Sequence, residues 1–134
     1  MYATTAELRQ RLGDAVYDEI YLSPAVAEAD LAAAVAEIDG ALTARYRLPI
    51  TGSSAAALLK DWTLTLAEER AYARPAGGDY PENTRRRVDQ VRKYLEQVRA
   101  GDFALPDAEE NPARSAAFAQ SAEPVFGRKK MSGF

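Results

Sequence analysis

Apolar residues recur along much of the chain at the spacing of a single helix face. Between Asp30 and Tyr46 they are separated by four, three, four and four residues, and after Asn83 by three, four and three. Both patterns predict helices with one buried face. The residues concerned are Leu31, Val35, Ile38, Leu42 and Tyr46 in the first segment, and Val88, Val91, Leu95 and Val98 in the second.

Helix-start signals divide the first part of the chain further. Thr4 and Glu7 have the spacing of a capping box, which predicts a short helix that ends near Gly13. Asp14 is predicted to cap a second short helix that runs to about Tyr21. Proline tolerates the first helical position, where a missing N–H costs nothing, so Ser23-Pro24 is also read as a helix start.

One more helix is predicted in the middle of the chain; it is capped by Ser53 or Ser54 and runs to about Ala73. The helix that carries the second apolar stripe is predicted to be capped by Asn83 or Thr84. Gly101 supplies the left-handed residue that commonly ends a helix.

The helical pattern stops after Gly101. The stretch from Asp107 to Pro124 is rich in Ala, Ser, Pro, Asn and Glu and has no periodicity, which is typical of a linker or an arm. We therefore predict an all-α fold. It has a small helical bundle of about four to five helices in residues 1–101 and an extended C-terminal arm in residues 102–134.

The end of the arm combines apolar side chains with cations and glycines. A purely solvated segment has no physical need for two phenylalanines and a methionine, so we predict that this segment contacts a partner or a neighbouring subunit. The alternatives are a disordered basic tail and packing on its own bundle. The predicted contact residues are Val125, Phe126, Arg128, Lys129, Lys130, Met131 and Phe134.

The formal net charge of −3 is unevenly distributed. Residues 1–40 carry −6 and residues 84–100 carry +4. Opposite charges on two parts of a fold favour head-to-tail contact between identical subunits, which is the geometry that closes rings. The alternative is that both charged regions are ordinary solvated faces. The charged residues predicted at this contact are Arg85, Arg86, Arg87, Arg92, Lys93, Asp14, Asp18 and Glu19.

The composition argues against an enzyme. The chain has neither cysteine nor histidine, so thiol nucleophiles, thiolate zinc sites and imidazole bases are excluded. Adjacent carboxylates such as Glu68-Glu69 point apart on a helix and do not form a convergent catalytic pair. We expect no catalytic residue, no metal site, no cofactor, no signal peptide and no membrane span.

Three blocks of sequence resemble the Mu-like prophage neck (head–tail joining) protein family. They are Tyr2 to Gly13, Ala36 to Pro49, and Val125 to Phe134, and they occur in the order of that family. The chain departs from the family pattern at Leu12, at Ala41 and within the last block, at Lys129-Lys130 and Ser132.

The resemblance implies a head-completion adaptor in the neck of a virion, made in the host cytoplasm. Proteins of this kind form a ring of about twelve copies under the portal protein. The ring extends the channel through which double-stranded DNA passes without specific binding, and it offers the tail-side neck protein a surface for attachment.

Two alternatives remain open at this point. One is a tail-completion, terminator-like neck protein with different neighbours. The other is a small helical module that binds nucleic acid or another protein through the Arg85–Arg87 segment, although nucleic-acid binding usually goes with a wider basic surface.

Overall fold

Five α-helices form the bundle in this computed structural model, which describes residues 1–110. A short 3₁₀ turn at Pro75–Gly77 lies between the fourth and fifth helices, and no strand is present within residues 1–110. The predicted all-α class is confirmed. The helices are α1 (Thr5–Leu12), α2 (Asp14–Ile20), α3 (Pro24–Leu42), α4 (Ser53–Tyr72) and α5 (Glu82–Ala100).

The core lies between α3, α4 and α5, and α1 covers one side of it. Trp62 in α4 is 1% exposed and stands at its centre. The apolar positions predicted for α5 are all buried, and those of α3 are buried except for Val35, which is half-buried. Burial of these two stripes is what aligns the long helices, because each stripe faces the other helices of the bundle.

Several helix ends match the sequence signals. The capping box is confirmed, since the Glu7 N–H donates to Thr4 Oγ1 at 3.2 Å and the Thr4 N–H donates to Glu7 Oε1 at 2.9 Å. Ser23 accepts from the N–H of Ala25, with proline at the first helical position of α3. Gly101 ends α5 in the left-handed conformation, with φ 86° and ψ 9°.

Three predicted caps are wrong. Asp14 is already helical and its carboxylate contacts Arg9 instead of the helix end. The residue before α4 is Gly52, and the residue before α5 is Pro81; neither uses a side chain as a cap. Helix α5 begins one or two residues before the predicted caps, at Glu82. Pro81, which precedes it, is restricted to a backbone angle φ that suits the extended conformation of a cap residue.

The N-terminus of α4 is covered by the beginning of the predicted arm. Asp107 Oδ2 accepts from the N–H of Ser54 at 3.4 Å, so a distant carboxylate stands where a serine cap was expected. Gly52 has no side chain at this point, and a Cβ there would overlap the backbone of Asp107. The close approach of the two segments therefore depends on this glycine.

Residues 102–110 pack on the bundle of the same protomer. The ring of Phe103 lies 5.8 Å from that of Trp62 and 5.2 Å from that of Tyr94. Leu105 is buried, and its N–H donates to Tyr46 Oη at 2.8 Å. An isolated bridge joins Tyr46 to Glu110 at the end of this segment. The start of the predicted arm thus completes the core.

Candidate functional site

A buried carboxylate joins three helices beneath the surface. Glu68 of α4 is 2% exposed, and its Oε1 accepts from Arg87 of α5 at 2.7 Å. Its other oxygen accepts from Arg11 of α1 at 3.3 Å. Arg11 also contacts Asp61. A carboxylate at this depth is stable only when it is paired, so α1, α4 and α5 are held in one relative position.

A second network joins the acidic first part of the chain to the basic helix. Arg92 of α5 lies 2.9 Å from Glu37 of α3 and 2.6 Å from Glu69 of α4. The hydrogen bonds that Arg92 donates to Glu69, and then those it donates to Glu37, raise the pKa of Arg92 above its already high ordinary value. The positive end of the fold is therefore partly neutralised inside the protomer.

A third network fixes the turn between α2 and α3. Arg74 makes two hydrogen bonds to the buried Asp30, at 2.7 and 2.9 Å, and the hydroxyl of Tyr21 donates to Asp30 at 2.6 Å. Burial alone would raise the pKa of Asp30, but the bonds from Arg74 and Tyr21 outweigh it and lower that pKa. Burial, followed by the bond to Asp30, raises the pKa of Tyr21.

The structure divides the predicted basic residues between the interior and the surface. Arg87 and Arg92 belong to the networks above. Arg85, Arg86 and Lys93 are exposed. Among the described residues, the ion pairs of Arg85 and Arg86 are long ones to Glu82, at 3.8 and 3.7 Å. The Arg85 guanidinium also lies 4.6 Å from the ring centre of Tyr80. Of the predicted basic residues, these three are thus the ones most available to a partner.

The predicted acidic residues lie together on α2. Asp14 and Asp18 contact Arg9 at 3.4 and 3.0 Å and remain largely exposed. Glu19 is exposed and has no ion pair within residues 1–110. This helix therefore presents negative charge to solvent. The predicted arm contacts at residues 125–134 lie outside the described residues.

Two surface features had no counterpart in the sequence analysis. Leu22, in the turn between α2 and α3, is 93% exposed. A groove of about 510 Å³ lies beside the end of α4, between Tyr72, Ala73 and Tyr80. The only sign of the exposed Leu22 in the sequence was an apolar residue between two helix signals. The groove depends on the packing of Tyr72 beside Tyr80, which the sequence does not reveal.

Neither a candidate metal-ligand group nor a candidate membrane-spanning helix is found among the described residues. Within residues 1–110 no group of three or more acidic side chains is placed to hold a metal ion. Helices long and apolar enough to span a membrane are likewise missing from this part of the chain.

Glu68 and Glu69 do diverge as predicted, since each contacts a different arginine of α5.

Comparison with known proteins supports the resemblance seen in the sequence. Residues 2–123 match the family described as bacteriophage Mu, Gp36. No curated protein and no solved structure matches the chain at a significant level. The match covers nearly all of the chain, including all five helices, and the predicted relation to Mu-like phages is confirmed. The chain belongs to the bacteriophage Mu Gp36 family.

Proposed function

We propose that the protein is a structural component of a phage virion and acts as a head-completion adaptor. About twelve copies form a ring beneath the portal at the neck, between capsid and tail. The ring extends the DNA channel and gives the tail-side neck protein its attachment surface. The observation that carries this proposal is the family match across residues 2–123.

The distribution of charge supports a role in assembly. The three ion-pair networks hold the helices in fixed positions, so the bundle can serve as a rigid block. What remains at the surface is an acidic helix α2 and a basic side of α5. A rigid block with complementary surfaces of opposite charge is suited to repeated head-to-tail contact.

A structural role is also consistent with the chemistry of the chain. There is no cysteine or histidine to act as nucleophile or base. The most deeply buried carboxylates, Asp30 and Glu68, are both occupied by arginines. We therefore propose that the protein is not an enzyme and that it needs no cofactor.

Deletion of the gene from the phage tests the proposal. Without the protein we expect separate heads and tails, and the full chain supplied in trans should restore tailed particles. A chain that lacks residues 125–134 should fail to do so, because the proposal gives these residues a contact to the portal or to a neighbouring subunit. Infectious tailed particles made without any copy of the protein would refute it.

Salt dependence separates the adaptor from the nucleic-acid-binding alternative. Binding to phosphates through Arg85 and Arg86 should weaken steeply as salt is raised. A packed assembly with apolar contacts should weaken much less. Arg87 contributes little to the alternative, because its guanidinium is already bound to Glu68.

A further inference from the structure

Leu22 projects from the surface in a fixed position. The residue before it, Tyr21, is buried and bonded to Asp30, and the residue after it, Ser23, accepts from the first turn of α3. The turn is therefore held on both sides while the leucine side chain is 93% exposed. Of the large apolar side chains in residues 1–110, only Met1 is comparably exposed, at 72%.

Two acidic residues precede this leucine closely in the chain. Asp18 and Glu19 lie one helical turn before it on α2, and both are exposed. Asp18 is paired with Arg9, whereas Glu19 has no ion pair within residues 1–110. An apolar side chain near such a carboxylate is suited to a partner surface that is apolar at its centre and basic at its edge.

The groove beside the end of α4 has this composition. Its walls are the rings of Tyr72 and Tyr80, whose centroids are 6.1 Å apart, and Ala73. Arg70 lies at its edge and is exposed. The guanidinium of Arg85 lies 4.6 Å from the centre of the Tyr80 ring and brings a second cation close to this wall of the groove. Glu69 also lines the groove, but its carboxylate is bound to Arg92.

We propose that Leu22 of one subunit binds in the Tyr72–Tyr80 groove of the next copy of this chain, with Glu19 facing Arg70 and Arg85. Within residues 1–110 of one protomer the leucine is exposed and the groove is open, so in this part of the chain the two surfaces do not contact each other. Because they are different surfaces, the contact is heterologous and can repeat around a ring. This inference rests on the proposed function and deepens it by naming the subunit contact.

The contact is expected to be weak in isolation. A single leucine and a few exposed charge pairs bury much less surface than a stable dimer requires. Copies arranged on a common platform make the contact at high effective concentration. We therefore expect the contact to form chiefly when the protein is mixed with the portal protein of the same phage.

Disulfide cross-linking tests the contact directly, since the natural chain contains no cysteine. The double variant Leu22→Cys, Ala73→Cys, oxidised in the presence of portal, should give a ladder of covalent oligomers on a non-reducing gel. The control Leu22→Cys, Ala36→Cys places the second thiol at an exposed alanine of α3 away from the groove and should give no ladder. The two single variants control for random collisions.

The outcomes distinguish the contact from the function. Covalent dimers without higher oligomers would show reciprocal pairing and overturn the head-to-tail contact. Rings that assemble but do not cross-link would overturn the contact and leave the adaptor function standing. If no ring forms on the portal at all, the proposed function fails and the contact fails with it.

Single substitutions give an independent test. Leu22→Ala should fold like the natural protein, because the side chain contacts solvent, yet assemble less well. Glu19→Arg and Arg85→Glu should each weaken assembly, and the two together should restore it if the charges face each other. Normal assembly of Leu22→Ala, or no restoration in the charge-swapped pair, would overturn the contact.

Discussion

The guanidinium of Arg87 lies 2.7 Å from the carboxylate of Glu68, although Arg87 belongs to a run of three arginines at the start of α5. Its neighbours Arg85 and Arg86 are exposed, and their ion pairs within residues 1–110 are to Glu82, at the longer distances of 3.8 and 3.7 Å. One continuous basic segment is thus divided between an arginine bound to a buried carboxylate and two arginines that lack such a partner within residues 1–110. Its members must have different roles.

Replacement of Arg87 should therefore destabilise the fold. Arg87→Ala leaves the buried Glu68 with Arg11 as its remaining cation. We expect the free energy of unfolding to fall by about 2 kcal/mol. This is less than the loss for a fully buried ion pair, because Arg87 is half-exposed. Urea unfolding, followed by the fluorescence of Trp62, measures this. The matched control Arg86→Ala should change stability by less than about 0.5 kcal/mol. Equal effects of the two substitutions would contradict the conclusion that Arg87, unlike Arg86, stabilises the buried Glu68.

Acid should weaken the Asp30–Arg74 contact and so lower the stability of the fold. The pKa of Asp30 is lower in the folded than in the unfolded chain, so the folded state binds this proton less readily. The contribution of Asp30 to stability is complete above its ordinary pKa of 3.8 and is lost as pH falls through the lower folded-state value.

The variant Asp30→Asn tests this pH dependence. At neutral pH it should be less stable than the natural protein, and the difference should shrink between about pH 5 and pH 2. Thermal unfolding across this range measures the difference. Asp89→Asn, at an exposed position of α5, controls for the removal of one negative charge. A difference that stays constant with pH would show that Asp30 does not carry the effect.

Two glycines should respond to alanine in opposite ways. Gly40 is exposed near the end of α3, and a Cβ there would have no atom within 4 Å, so Gly40→Ala should stabilise the protein by about 0.5–1 kcal/mol. Gly52→Ala should destabilise it by about 1–3 kcal/mol, because the new methyl group overlaps the backbone of Asp107. Circular dichroism melting curves measure both. A gain in stability from Gly52→Ala would mean that residues 102–110 do not cover α4.

The start of the arm should contribute to the core. Phe103→Ala removes a half-buried ring that packs on Trp62 and Tyr94, and we expect a loss of about 2 kcal/mol. Trp62 is the only tryptophan, so its emission should also shift toward that of a solvated indole. The control Asp102→Ala, at the exposed neighbouring residue, should leave both the stability and the Trp62 emission unchanged. An unaltered unfolding midpoint for Phe103→Ala would remove this segment from the core.

The helices were predictable because their signals are local. The stripe from Val88 to Val98 and the box formed by Thr4 and Glu7 depend on residues a few positions apart, and the structure has both. The cap of α4 was not predictable in the same way. Its acceptor, Asp107, lies far along the chain from Ser54, and no pattern in the sequence joins the two.

The candidate contact surfaces were predicted only in part. The excess of charge on α2 and α5 was visible in the sequence, but which arginines face inward was not, since Arg92 pairs with a glutamate 55 positions away. Leu22 and the Tyr72–Tyr80 groove are properties of the folded surface. The fold thus followed from local patterns, whereas the surface depends on long-range pairing.

The mass of the protein by light scattering, alone and then mixed with the portal protein of the same phage, tests the central claim most directly. The adaptor account predicts a species of about twelve times 14.6 kDa, either alone or only on the portal. A monomer that ignores the portal but increases in mass on addition of DNA would contradict the account and favour a nucleic-acid-binding module.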